Sequence, residues 1–314
     1  MTPETMSIEV DEAKERWLQR RRTGIGGSDA PVVMGLSPYK GPLQLYCEKL
    51  GIGELPNVES EAAEWGILLE EPVAAKYARA TGRKLLYPGP YTIQRSEAYP
   101  FAICTLDRVI VADPPENPDR ELWKEMVFNH DRGVLQIKTT GATHEDDWVD
   151  GPPPHVYCQV QHEMAVTGYQ WASVAVLIGG QKFRWCDVAR DEAYIAQLME
   201  AEAAFWRRVE TEDPPEPGPR DGRTLAALYP TDSGAVIELP PEALQWDVAL
   251  ESAKAREKDA RYERETLEAR LKAALKDASI GVLPNGVKYT LKSQTRAAYV
   301  CPESTFRVLR RSTK

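Results

Sequence analysis

Two short apolar segments carrying polar residues constrain this chain more than any other feature. The first reads Ile103-Cys104-Thr105-Leu106-Asp107, followed by Val109 and Val111; the second reads Gly133-Val134-Leu135-Gln136-Ile137-Lys138-Thr139. Both alternate as a half-buried strand does. With a period of two, Gln136 and Lys138 leave one face of their strand. Pairing of the two strands at Asp107 then gathers a carboxylate, an amide oxygen and an ammonium. A carboxylate, an acidic residue and a lysine two further on form the outline of a metal-dependent phosphodiesterase. The carboxylates hold Mg²⁺, which activates water, and the lysine orients that water or offsets charge developing on phosphate. Here the position that should be acidic is glutamine.

Upstream, residues 8–22 read as an amphipathic helix or turn ending in Arg20-Arg21-Arg22, followed by Thr23-Gly24-Ile25-Gly26-Gly27-Ser28-Asp29-Ala30. Glycines allow close backbone approach, and Ser28 or Asp29 can cap a helix starting at Ala30. A glycine-rich turn before a helix, with arginines beside it, suits a phosphate; the plainer reading is a capped helix beside a solvated arginine run. Helices are expected at 42–51 and 60–80, the second with Trp65, Leu68, Leu69, Val73 and Tyr77 on one apolar stripe and Glu70 and Glu71 beside it. Strands are expected at 84–94 and 101–112, and 113–132 reads as a loop insertion. Beyond Lys138, a helix over about 155–168 carries Tyr157, Gln159, Gln161 and His162. A β-prone run at 172–178, a partner at 183–188 and a helix over 191–210 follow. The order of elements predicts an α/β fold with a mixed central sheet flanked by helices.

Pro214-Pro215-Glu216-Pro217-Gly218-Pro219 marks a linker, so the expected domains are 1–213, a linker over 214–222, and an extension over 223–314. Within that extension, 242–278 is free of Gly and Pro and reads as a single helix about 55 Å long or a helical hairpin. A final β-hairpin is expected from strands at 286–293 and 305–310, the first entered through Pro284-Asn285-Gly286.

Composition excludes little. The net charge is −9, yet residues 280–314 carry seven Lys/Arg against the single acid Glu303, so a local basic surface for nucleic acid stands beside an acidic total. No run approaches the roughly 18 apolar residues of a membrane span, and no signal-peptide core opens the chain. The five cysteines (47, 104, 158, 186, 301) form no CxxC pair, which points to a reduced, cytoplasmic protein without structural zinc. The four histidines (130, 144, 155, 162) show no zinc spacing, and His162 reads as a helix-surface residue. Ser28 lies in Gly-Gly-Ser-Asp, outside the G-x-S-x-G pattern of serine hydrolases.

Taken together, the motifs resemble the YqaJ-like viral recombinase family, phage exonucleases similar to lambda exonuclease within the PD-(D/E)XK nuclease superfamily. The resemblance rests on Arg21-Arg22-Thr23-Gly24-Ile25-Gly26-Gly27-Ser28-Asp29, on Trp65-Gly66-Ile67-Leu68-Leu69-Glu70, on Asp107 with Gln136-Ile137-Lys138, and on Tyr157-Cys158-Gln159-Val160-Gln161. The charged helical segment and basic tail resemble the family's C-terminal extension. The resemblance implies a PD-(D/E)XK core and an Mg²⁺-dependent 5′-to-3′ exonuclease, with Mn²⁺ as substitute, resecting linear double-stranded DNA for phage-type recombination. Asp107 would be the main metal ligand, with Glu70 (or Glu71), Gln136 and the Ile137 carbonyl beside it. Lys138 would position the attacking water. Arg21 or Arg22, with Ser28, would grip the 5′-phosphate, and Gln159 would touch the metal-site water or the scissile strand. Also implied are a ring-shaped homotrimer, a single-strand annealing protein as partner, and a phage or prophage origin with action in the bacterial cytoplasm.

Gln136 departs from that pattern, since an amide keeps an oxygen but loses the charge that Mg²⁺ favours. The chain is an engineered Glu→Gln form, a natural variant, or an inactive relative that only binds ends; the retained Asp107 and Lys138 favour the first two. The competing function is a DNA-end-binding or scaffolding protein on a degenerate nuclease fold. Nucleases of the Cas4 or RecB type usually carry clustered cysteines for an iron–sulfur centre, which this chain lacks.

Overall fold

Runs of Val, Ile, Ala and Trp pair into a five-stranded mixed sheet in the computed structural model, which describes residues 3–53, 61–111, 132–295, 307 and 309–311. The strands in chain order are β1 (Lys84–Leu86), β2 (Gln94–Arg95), β3 (Ile103–Cys104), β4 (Arg108–Val111), β5 (Arg132–Thr140), β6 (Trp171–Ile178), β7 (Lys182–Ala189), β8 (Ile280–Val282) and β9 (Lys288–Thr290). The helices among these residues are α1 (Pro3–Arg21), α2 (Ala30–Val33), α3 (Pro42–Leu50), α4 (Glu61–Thr81), α5 (Pro154–Thr167), α6 (Glu192–Glu210), α7 (Gly222–Leu228) and α8 (Ala243–Leu275). The main sheet has the order β1-β4-β5-β6-β7, while β2-β3 and β8-β9 are separate pairs. Among the described strands only β5 and β6 pair in parallel. A parallel pair needs a crossover, and α5 lies within that connection.

Alternation along the strands decides which helix covers which face. Val134, Ala172, Val174 and Val188 pack with Val156, Val160 and Met164 of α5 and with Ile195, Leu198 and Met199 of α6. Leu135, Ile137, Ile110 and Ala175 point the other way, against Val73, Ala74 and Tyr77 of α4. Gln136 and Lys138 share parity with Val134, so they face α5. A third cluster joins α3 to α6 through Leu43, Leu45, Tyr46, Phe205 and Val209, with Ile25 among them. Ile25 bridges Ala102 in parallel, donating to the Phe101 carbonyl (2.7 Å) and accepting from the Ile103 amide (2.8 Å).

Several sequence-based expectations shift. The strand expected over 84–94 stops at Leu86, because the chain turns through left-handed Gly89 and Tyr91 before β2. The stripe expected along α4 is buried only from Val73 onward: Trp65 is 54% and Leu68 58% exposed. The expected insertion at 113–132 lies, apart from Arg132, outside the described residues.

The chain divides into two compact units, Met1–Pro230 and Thr231–Lys314, and the proline-rich stretch expected as linker falls inside the first. Asp221 is fully buried, and its carboxylate accepts from the amides of Leu43 (3.3 Å) and Gln44 (3.0 Å). Those are orphan amides of the first turn of α3, whose N-cap residue, Gly41, has no side chain to satisfy them. A Cβ at Gly41 would lie 2.4 Å from that carboxylate, so the cap is borrowed from residue 221.

In the second unit, α8 is one continuous helix of 33 residues with no buried residue, about 50 Å long. β9 pairs with β8 through the turn at Pro284-Asn285-Gly286, where Gly286 has a left-handed φ of 87°. That turn was expected to open a strand whose partner was 305–310. Instead the partner precedes it, and the described residues 307, 309 and 310 carry no strand.

Candidate active site

Antiparallel register sets Arg108 opposite Leu135, which brings Asp107, one residue earlier, beside Gln136. Both hydrogen bonds to the Asp107 carboxylate land on one oxygen: the Gln136 Nε2 and the Ile137 backbone amide each donate to Oδ2 at 2.7 Å. Burial raises the Asp107 carboxyl above its usual range, against the pull of Lys138, the Ile137 amide and Arg108. Gln136 is only 4% exposed.

Helix α5 closes the site from the facing layer. Gln159 Oε1 accepts from Lys138 Nζ (2.9 Å), and Gln159 Nε2 donates to Gln136 Oε1 and to Glu163 Oε1, both at 2.9 Å. Asp107, Gln136, Gln159 and Glu163 thus form one unbroken polar chain. Glu163 stands four residues after Gln159, on the same face of α5. It is 1% exposed, and its Oε2 has no hydrogen-bond partner. Burial, then the nearby Asp107 charge, pushes its carboxyl up to about 8. The preceding residue is equally enclosed. His162 is fully buried, with Nε2 2.8 Å from the Ile103 carbonyl and Nδ1 2.8 Å from Glu202 Oε1. A carbonyl only accepts, so Nε2 carries a proton. Burial pushes this imidazole down, but the Glu202 charge and hydrogen bond outweigh that and set it at about 8. The surface position expected for His162 is therefore wrong; α5 is buried on two sides, by the sheet and by α6.

The two acids of α4 differ in setting. Glu71 is exposed and pairs with Arg108 at 2.6 Å, while Glu70, 4.0 Å from the same guanidinium, is half-buried. Burial and then the Asp107 charge push Glu70 up to about 7, against Arg108 and Lys138. The two arginines also take different directions. Arg21 Nη2 donates to Ser28 Oγ (2.9 Å) and its guanidinium stacks 4.8 Å from the Trp17 ring centroid. Arg22 runs toward Gly51, where an added Cβ would meet its Nη1 at 3.0 Å.

Asp29 does not cap α2. Its carboxylate instead collects Lys49 (2.6 Å), Lys40 (3.3 Å), Arg21 (3.9 Å) and the Gly26 amide (3.0 Å). Burial works against ionisation there, yet the three cations outweigh it and hold Asp29 well below the usual carboxylate range. Sequence reasoning missed Lys40, Lys49 and Glu163. The lysines lie on and before a helix of no special pattern, but Glu163 left one signal: an acid among apolar and amide residues of a helix that had to be buried. The two halves of the site touch at Gly27, where a Cβ would meet Glu163 Oε1 at 2.7 Å and Gln159 Cγ at 3.3 Å. Glycine there lets the Ser28 loop lie against α5.

Among the described residues no three His, Cys, Asp or Glu side chains converge into a metal-binding group. A cation here would draw on neutral oxygens as well. Asp107, Gln136 Oε1 and the Ile137 carbonyl, with Glu70 on one side and the unpartnered Glu163 Oε2 on the other, all offer oxygen, the donor type a hard divalent cation takes, without the three acids converging into one group.

Comparison with known proteins adds the family. Residues 16–170 match the YqaJ-like viral recombinase domain. The uncharacterised protein YqaJ of Bacillus subtilis is 31% identical over 295 residues, 90% of this chain and 84% of that protein. The chain belongs to the YqaJ-like viral recombinase family. A shorter stretch of 59 residues, 19% of this chain and 17% of the relative, is 37% identical to protein D345L of African swine fever virus. Among solved structures, the alkaline exonuclease LHK-Exo of Laribacter hongkongensis is similar at 21% identity and a TM-score of 0.47, over 63% of this chain and 93% of that one. The matched family region holds every site residue named above except Glu202.

Proposed function

We propose that this protein is a divalent-metal-dependent nuclease that resects linear duplex DNA from 5′-phosphorylated ends for phage-type recombination. One observation carries the reading: Asp107, Gln136 and Lys138, from two strands, meet Gln159 of α5 in one hydrogen-bonded cluster. This matches the arrangement that the PD-(D/E)XK resemblance implies, with glutamine in place of the expected acid. A magnesium or manganese ion held by Asp107, Gln136, Glu70 and the Ile137 carbonyl would supply Lewis-acid activation of water and offset phosphate charge. Lys138, steered by Gln159, directs its ammonium toward the attacking water and the phosphate. Arg21 and Ser28 form the phosphate grip, with Lys40 and Lys49 adding positive field behind them.

Magnesium-dependent nucleotide release from 5′-phosphorylated linear duplex tests this. Cutting that disappears in Asp107→Ala, by at least about a hundredfold, is the expected result. Equal cutting by wild type and Asp107→Ala would sink it.

One observation favours the second reading, an end-binding protein without catalysis. The Gln136 amide points its NH₂ at Asp107, satisfying the carboxylate without a cation. Tight binding of DNA ends with no cleavage in wild type or Gln136→Glu decides for that reading. By family resemblance we also propose a ring-shaped homotrimer, checked by native mass spectrometry, and a single-strand annealing partner. Support for a partner comes from α8, whose Leu244, Trp246, Val248 and Leu250 are all exposed; an isolated helix gains most of its stability from packing.

A further inference from the structure

Resting on the metal-dependent reading above, we propose that Glu163 supplies the negative charge that Gln136 lacks, serving the Asp107 cation as a carboxylate ligand directly or through one water. Gln136 keeps an oxygen in place but brings no charge, which leaves Asp107 as the only carboxylate on the β4–β5 pair at the site. The facing helix brings a second one. Gln159 holds Gln136 Oε1 and Glu163 Oε1 with the same nitrogen, so Glu163 stands one side chain beyond the substituted position.

Its environment does not account for it otherwise. An acid at 1% exposure with Oε2 unpartnered is costly to bury; Glu202 also leaves one oxygen unpartnered, but its other oxygen is paired with the His162 imidazole, whereas Glu163 Oε1 is held only by the Gln159 amide. Among the described residues no lysine or arginine forms an ion pair with it. The adjacent buried histidine is already committed to Glu202 and the Ile103 carbonyl, so it does not claim this group. Gly27 leaves room for Glu163 Oε1, which an added Cβ would meet at 2.7 Å, so the phosphate-grip loop lies close against the carboxylate. A buried acid with one oxygen tied to a ligand-positioning amide and the other unpartnered is organised to receive a cation.

The test is Mn²⁺ binding by the full-length protein, read by electron paramagnetic resonance of free Mn²⁺ rather than by cleavage. Wild type, Asp107→Ala, Glu163→Gln, Gln136→Glu and the Gln136→Glu/Glu163→Gln double variant are compared. Asp107-dependent binding, weakened about tenfold or more by Glu163→Gln, is expected. In the Gln136→Glu background the same substitution should cost less than about threefold, because the restored acid makes Glu163 redundant. Wild-type affinity in Glu163→Gln, or an equal loss in both backgrounds, overturns the proposal while leaving the metal site standing. Binding indifferent to Asp107→Ala removes the metal reading itself, and the proposal with it. Should Glu163→Gln not fold, Glu163→Ser carries the same comparison.

Discussion

At the scale of single residues, Gln136 takes a charge from the candidate site and gives Asp107 a hydrogen bond. The sequence presents it as a defect in a ligand set. In the fold it is a stabilising contact, because its NH₂ donates to Asp107 at 2.7 Å and its oxygen accepts from Gln159. A glutamate at 136 would set two carboxylate oxygens at that distance in the metal-free protein, and they could not both stay ionised. Gln136→Glu should therefore lower metal-free stability by on the order of 1–3 kcal/mol, several degrees in melting temperature for a unit of this size. Added Mg²⁺ should restore it through preferential binding to the folded state. Thermal melts in chelator and in Mg²⁺ check this, and a variant that melts like wild type in chelator contradicts it. Asp107, Gln136, Lys138 and Gln159 were all legible, since strand parity and order of motifs placed them. Glu163 was not, because its one signal, an acid among apolar and amide residues, does not say that the acid turns toward Gln136 rather than toward solvent.

At the scale of elements, α5 concentrates buried titratable groups. Glu163 and His162 keep their protons to about 8 in the folded state, and Glu70 across the site to about 7. Each is raised above its ordinary value, so the folded protein binds more protons than the unfolded chain from about pH 4.5 to 8. Stability contributed by such groups is full below their unfolded pKa values and is lost as pH rises through the folded ones. Asp29 has the opposite sign: its depressed pKa gives stability that disappears as pH falls through the acid range. The metal-free protein should thus be most stable on the mildly acidic side and lose on the order of a few kcal/mol between about pH 5 and 8.5. Glu163→Gln should flatten that slope, because glutamine does not titrate. Melting temperature against pH in chelator measures both, and a wild-type profile rising from pH 5 to 8 would contradict the assignment. The existence and type of these elements could be read from periodicity. Burial of α5 on two sides could not, since that depends on α6 returning over the same face, a long-range fact local pattern does not contain.

At the scale of the molecule, composition misplaced the boundary between the units for a physical reason. Proline-rich segments usually mark linkers because they resist helix and sheet, but nothing prevents one from lying along a surface and lending a cap. The stretch after Asp213 does so: Gly218 donates to Asp221 (2.8 Å), which in turn caps α3. α3 packs Leu43, Leu45 and Tyr46 against Phe205 and Val209 of α6, and its Lys49 holds the Asp29 carboxylate beside Ser28. Loss of the cap should therefore reach the phosphate grip. A chain ending at Pro230 keeps every contact of the first unit, and it should melt like that unit in the full protein and bind Mn²⁺ with unchanged affinity. One ending at Asp213 should be destabilised by at least about 1–2 kcal/mol, the usual loss for a helix cap, with α7 removed as well. Its affinity for 5′-phosphorylated ends should fall further than for 5′-hydroxyl ends, because an uncapped α3 no longer holds Lys49 on the Asp29 carboxylate beside Arg21. Differential scanning calorimetry of the two truncations, with end-binding titrations on both kinds of duplex, separates the cases. Equal melting of the two chains would mean that the Asp221 cap contributes nothing and that the proline-rich stretch is a linker after all.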